Sequence, residues 1–286
     1  MNIIEKAIDR YGLPKWLLAY VADYIKADPM PRAKRLLSFA KTEREMGSIK
    51  QGYIMLPNGM YISIEFIGRV LSVFYYGEKK SSEIYAKWAE RGRGIGNEIA
   101  YKQSFEQLSA MAERHGKAIK SIMDALKIKR QEEHEELFDF MYGIEEWSQR
   151  LIMSGIIIKD AYASTFGTAF YKAFYRVMPE FMRSFGKAFS SDNIFGVIES
   201  EAEEAIKKLE EKETIEFARE ALPIVRDSIA TKLYLADKEG IGDEARLLGR
   251  VAIAAPLYHI SKFFSIDARK EEEMINAGKF SYLHTF

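Results

Sequence analysis

The chain predicts an all-α protein built on long antiparallel helices, and three observations carry that expectation. Apolar residues recur at helical spacing over stretches of about 30 residues, the mark of helices with one buried face. Glycine clusters and prolines, which end helices, punctuate those stretches. Of the 286 residues, 48% are apolar and 29% charged, enough to form a sizeable core and to solvate its surface.

The first 62 residues read as an appendage. Pro14 and Pro31 sit where helices begin, because a missing N–H costs nothing at the first helical position. They open predicted helices over 14–25 and 31–45. Tyr53–Leu56 and Met60–Ile62 flank Asn58-Gly59, a dipeptide that favours hairpin turns, and predict a small β-hairpin. A loop leading directly into the next helix is the alternative.

From Ser63 the predicted helices are long. One runs to Arg91 and stops at the segment Gly92–Gly96, an interhelical turn that lacks the spacing of any phosphate loop. Asn97 caps a second, reaching Leu126. A Glu-rich helix starts at Gln131, pauses at Gly143 and continues through Trp147 to Met178. Asp192 or Asn193 caps the next, running to Glu213. Thr214–Lys238 is helical and interrupted or kinked at Pro223, and Gly240–Asp243 opens a final helix kinked by Pro256, before a short tail. The expected organisation is residues 1–62 as short helices and hairpin, 63–213 as a four-helix core, and 214–286 as covering helices. No linker composition separates the parts, so one continuous domain is expected.

Composition excludes several function classes. Lys plus Arg and Asp plus Glu number 42 each, so neither nucleic acid nor an anionic membrane is an expected partner. The absence of cysteine removes disulfides, thiolate metal sites and cysteine nucleophiles. The longest apolar stretch, Leu151–Ile158, is far short of the roughly 20 residues that span a bilayer. The first residues lack the apolar stretch of a signal peptide, and a cytoplasmic location is expected. Scarce Asn and Gln beside plentiful Lys and Glu follow the compositional trend of thermophiles. The 4 histidines stand in no recognisable catalytic motif, which leaves hydrolase and kinase assignments without support.

Function is sought where ionisable groups fall on apolar stripes, since a buried charge must be paired or ligated. On the first long helix the stripe Ile64, Ile67, Leu71, Phe74 continues through Glu78 to Tyr85 and Trp88. On the second, Leu108 and Ala112 continue through His115 to Ile119, Ile122 and Leu126. Asp160 lies mid-way along the apolar third helix, beside Tyr162. Glu201 adjoins the stripe Ile194, Ile198, Ala202, Ile206 and Leu209 on the fourth. Each has a plain alternative. His115 serves as a hydrogen-bonded core histidine, Glu78 rotates into solvent, Asp160 pairs with Lys159 or Lys172, and Glu201 belongs to a solvated run with Glu199, Glu203 and Glu204.

This arrangement resembles the ferritin-like superfamily, whose di-iron or di-manganese centres lie inside a four-helix bundle. The resemblance covers roughly residues 63–213. It implies metal ligands at Glu78, at Glu113 and His115, at Asp160 and at Glu201, binding iron or manganese. It also implies oxidase or oxygenase chemistry, with Tyr162 or Tyr101 near enough to be oxidised. The chain departs from the family's Glu-x-x-His pattern. Glu113 and His115 are two residues apart, about 200° around a regular helix, and would converge only across a π-bulge. His134 has no Glu three residues earlier, and His259 lies far down the chain beside Pro256. The aromatics around the third helix, including Phe166, Phe170 and Phe174, would line a pocket for a small apolar substrate, and a homo-oligomer is an admissible state. The competing expectation is a metal-free helical binding or assembly module that kept the bundle and lost the ligands.

Overall fold

The computed structural model describes residues 40–41, 52–55, 61–94, 98–129, 135–162, 194–236 and 242–277. The expected helix 14–25, most of 31–45, the Asn58-Gly59 turn, the Asn97 cap, His134, the aromatics 166–175 and the final tail lie outside them. Among the described residues the chain is mostly helical, and no helix is long and apolar enough to cross a membrane.

Three short strands precede the helices: β1 (Ala40–Lys41), β2 (Tyr53–Met55) and β3 (Tyr61–Ser63). β3 is central and antiparallel to both neighbours, with Tyr53 opposite Ser63 and Met55 opposite Tyr61. That is the arrangement the Asn-Gly pattern predicts. β1 corrects the expected helix over 31–45, because Ala40 and Lys41 pair with Ile62 and Tyr61 and so take extended backbone instead.

Helices α1 (Ile64–Glu90) and α2 (Glu98–Ala125) form the tall hairpin the stripes predict. Ser63 caps α1 by accepting from the Glu65 N–H. Their contacts run antiparallel. Gly68 faces Ile128, Ser82 Oγ lies 3.2 Å from Ser109 Oγ, and Trp88 meets Phe105 edge to face at 5.3 Å. The stripe residues Ile67, Leu71, Tyr85, Trp88, Leu108, Ala112 and Ile119 are buried.

Among the described residues the expected third helix, read from Gln131 to Met178, comprises α3 (Glu136–Gly143), α4 (Trp147–Ile152) and α5 (Lys159–Tyr162). A π-helical segment, Met153–Ile158, joins the last two. Ser154 sits inside it and donates to the Arg150 carbonyl at 2.7 Å, which satisfies an acceptor where the regular bond pattern changes. The buried Arg150 anchors this region. It donates to the carbonyls of Ile144 (2.9 Å), Trp88 (3.2 Å) and Arg91, tying the end of α1 to the start of α4 between the rings of Trp88 and Trp147.

Four helices follow: α6 (Ile194–Ile206), α7 (Glu211–Ala236), α8 (Gly242–Ser261) and α9 (Ala268–Asn276). The expected helix to Glu213 ends at Ile206, because Glu213 turns back to accept from the Glu210 N–H and caps a new helix. Pro223 and Pro256 lie inside α7 and α8, which run through them. α9, read from the sequence as tail, is capped by Asp267, which accepts from the N–H groups of Arg269 and Lys270. One hydrophobic core extends from Ile84 through Ile156, Leu222 and Leu257 to Ile275. α7 packs on α1, α3 and the π segment, and α8 packs on the π segment and α5, so both share the core as well as covering it.

Candidate functional site

The π segment determines what meets what. A Cβ placed on Gly155 would lie 2.4 Å from the Ile198 carbonyl oxygen and 2.9 Å from Ala202 Cβ, so only glycine lets α6 cross this closely. Ile198 and Ala202 are fully buried at that crossing. The residue after Ile198 is Glu199, and Glu203 follows one turn later on the same face. Both carboxylates are thereby held against the start of α5, where Lys159 and Asp160 stand. α8 brings His259 from the other side.

Among the described residues, Asp160, Glu199 and His259 are the one group of three acidic or imidazole side chains whose ligand atoms all lie within 4.8 Å of one another. His259 Nδ1 is 2.7 Å from Asp160 Oδ2 and 4.0 Å from Glu199 Oε1. Its other nitrogen, Nε2, is 3.0 Å from Glu203 Oε1. Phe263, one turn further on, stacks on the ring at 6.2 Å and holds its plane. Lys159 Nζ reaches Asp160 Oδ1 at 3.0 Å and Glu199 Oε1 at 2.5 Å.

Burial opposes a charge on His259, but the hydrogen bond and charge of Asp160 and the hydrogen bond of Glu203 outweigh it, so the imidazole titrates above its ordinary value. Lys159 behaves alike. Burial pulls it down, and the charges and hydrogen bonds of Asp160 and Glu199 raise it further. Three carboxylates thus face one ammonium and one imidazole. His259 is deeply buried, while Asp160, Glu199 and Glu203 keep 16%, 32% and 37% side-chain exposure, leaving an approach from solvent to the carboxylate side.

The residues singled out from the sequence are distributed differently. Glu78 and His115 do meet across the α1–α2 hairpin, with Oε1 3.4 Å from Nδ1, and form a pair apart from the three-ligand group. Glu113 stands apart from that pair. It is exposed and paired with Lys117 at 2.8 Å, because α2 is regular there and the π geometry lies at 153–158 instead. Glu201 accepts from Ser104 at 2.9 Å, its Oε2 is buried without a hydrogen-bond partner, and burial raises its carboxyl above the usual range despite the Ser104 bond. It lines a cavity of about 380 Å³ with Gly196, Val197 and Ser200. Of the expected ligands, Asp160 alone belongs to the converging group. Tyr162 points away from it. Its hydroxyl lies 3.2 Å from Ser228 Oγ, which donates to Glu135 at 2.8 Å, so the tyrosine donates into that chain.

Sequence reading missed His259, Glu199 and Glu203. The available signal was the Glu199-x-x-x-Glu203 spacing, which places two carboxylates on one helical face. No protein-family model, curated protein or solved structure matches the chain.

Proposed function

We propose that this protein is a divalent-metal-binding helical protein whose centre is formed by Asp160, Glu199 and His259. One observation carries the reading: the two ring nitrogens of His259 face different tasks. Nε2 lies against the Glu203 carboxylate, which orients the ring and would keep a proton on Nε2, so that a metal displacing the Nδ1 proton would find the Nδ1 lone pair directed at it beside Asp160 and Glu199. A carboxylate on the far nitrogen is the usual support of a metal-ligating histidine. Small movements would suffice for shared coordination, since ligands about 2.1 Å from one ion lie roughly 3–4 Å apart and these ligand atoms already lie within 4.8 Å of one another.

Charge supports the same reading. An ion of charge two that takes the place of the His259 proton and the Lys159 ammonium would bring the three carboxylates the same charge as those two groups together. Two carboxylates and one imidazole favour iron or manganese over softer ions, and three protein ligands leave coordination positions for water or a small substrate. The redox or oxygenase activity implied by the ferritin-like resemblance would start from such positions, but at one metal. Glu78 and His115 are too few to hold a second ion beside it.

A second reading has its own support: Lys159 already neutralises Asp160 and Glu199, as a metal-free structural network would. Metal content separates the two. Protein purified without chelator, then titrated with Mn²⁺ and Fe²⁺, should take up one equivalent, and Asp160→Asn or His259→Ala should abolish uptake while His115→Ala retains it. A wild-type protein that binds neither ion and is equally stable in chelator would leave the metal-free reading standing.

A further inference from the structure

We infer that Lys159 is the built-in competitor of the metal, a tethered cation that holds the ligand cage together without metal and weakens binding by having to leave. The inference rests on the metal-binding reading above and adds the residue that sets the site's affinity and its preference for divalent ions. Its observation is atomic. The Glu199 oxygen that lies 4.0 Å from His259 Nδ1, Oε1, is the same atom that Lys159 Nζ holds at 2.5 Å. Asp160 divides its oxygens likewise, Oδ2 to His259 and Oδ1 to Lys159. An ion bridging Asp160, Glu199 and His259 therefore contests Glu199 Oε1 with the ammonium.

Lys159 suits the part because of where it starts. It immediately precedes Asp160 at the end of the π segment, and its side chain is 20% exposed, so the stem is packed while the head can reach solvent. A cation on the same chain acts at high effective concentration, which a free monovalent ion of equal charge cannot overcome. A divalent ion gains twice the attraction from the same carboxylates and can displace it. Lys159 thus filters by charge, and it spares the apo protein the repulsion between Asp160 and Glu199.

The test is Mn²⁺ binding by calorimetry and by loss of the free-ion electron paramagnetic signal. It compares wild type with Lys159→Met, Lys159→Gln and Lys159→Arg, each checked for helicity and unfolding temperature. Either neutral variant that folds should bind Mn²⁺ at least tenfold more tightly than wild type and be less stable in chelator, with Mn²⁺ restoring the stability. Lys159→Arg, which keeps the charge, should stay near wild-type affinity. Folded neutral variants that bind no more tightly than wild type would overturn the inference and leave the metal site intact. Absence of binding in all four proteins would overturn both.

Discussion

Asp160 Oδ2 lies 2.7 Å from His259 Nδ1, although 99 positions separate the two residues. With Glu203 on the opposite nitrogen, the ring is held by acceptors on both sides, and the doubly protonated form is the one that donates to each. Because the folded imidazole titrates above its ordinary value of 6.5, the metal-free protein binds this proton more tightly than the unfolded chain. The resulting stabilisation is complete below about pH 6.5 and is lost as pH rises through the folded value. Urea unfolding in chelator, repeated between about pH 5 and 9, should show this decline, and His259→Asn should flatten it. An unchanged slope in the variant would assign the dependence to another group.

Gly155→Ala tests the helix crossing. The new methyl group meets a backbone carbonyl, which cannot swing aside, so a loss of roughly 2–3 kcal/mol is expected. Because α6 must retreat, Mn²⁺ binding should weaken as well, at a residue that contacts no ligand atom. Chemical denaturation and calorimetry report the two effects separately, and retained affinity in a destabilised variant would show that Glu199 is positioned otherwise.

Glu113→Ala and His115→Ala, two positions apart, should behave differently. Glu113 is exposed and its partner Lys117 equally so, and its loss should change stability by less than about 0.5 kcal/mol. His115 is 2% exposed and pairs with Glu78, and its truncation should cost roughly 2 kcal/mol or more. Neither should remove bound metal. A thermal melt and metal analysis on each variant decide the point.

Arg150→Leu removes the donor to the carbonyls of Ile144, Trp88 and Arg91 in a buried place. Burial lowers the tendency of this guanidinium to stay charged, partly offset by Glu145 and Glu146, but its acceptors have no replacement. We expect a loss of about 3 kcal/mol or more, seen as a lower unfolding midpoint. A variant as stable as wild type would show that water satisfies those carbonyls.

The stripes of α1 and α2 were readable because a long amphipathic helix repeats its signal about every four residues, and the Glu78–His115 contact follows from two such stripes facing each other. The converging group of Asp160, Glu199 and His259 was not readable for the opposite reason. Glu199 looks solvated within an acidic run, and its position depends on Gly155 admitting α6 and on α8 returning with His259. Such contacts leave no periodic trace in the chain. The π segment was equally hidden, since Leu151–Ile158 reads as an unbroken apolar run whatever its turn geometry. The end of α6 is a nearer miss, because Glu213 three residues after Glu210 is itself a capping signal.

The six residues of the π segment make the centre a matter of counting. Rewound as regular α-helix, the same six residues would turn everything beyond them by roughly 100°, because the wide turn absorbs about one extra residue. Asp160 would then leave His259, and Lys159 would leave Glu199, without a single ligand having been changed. The extra residue that the wide turn absorbs is thus what keeps Asp160 facing His259. The register of this helix, as much as the identity of its acids, brings the group together.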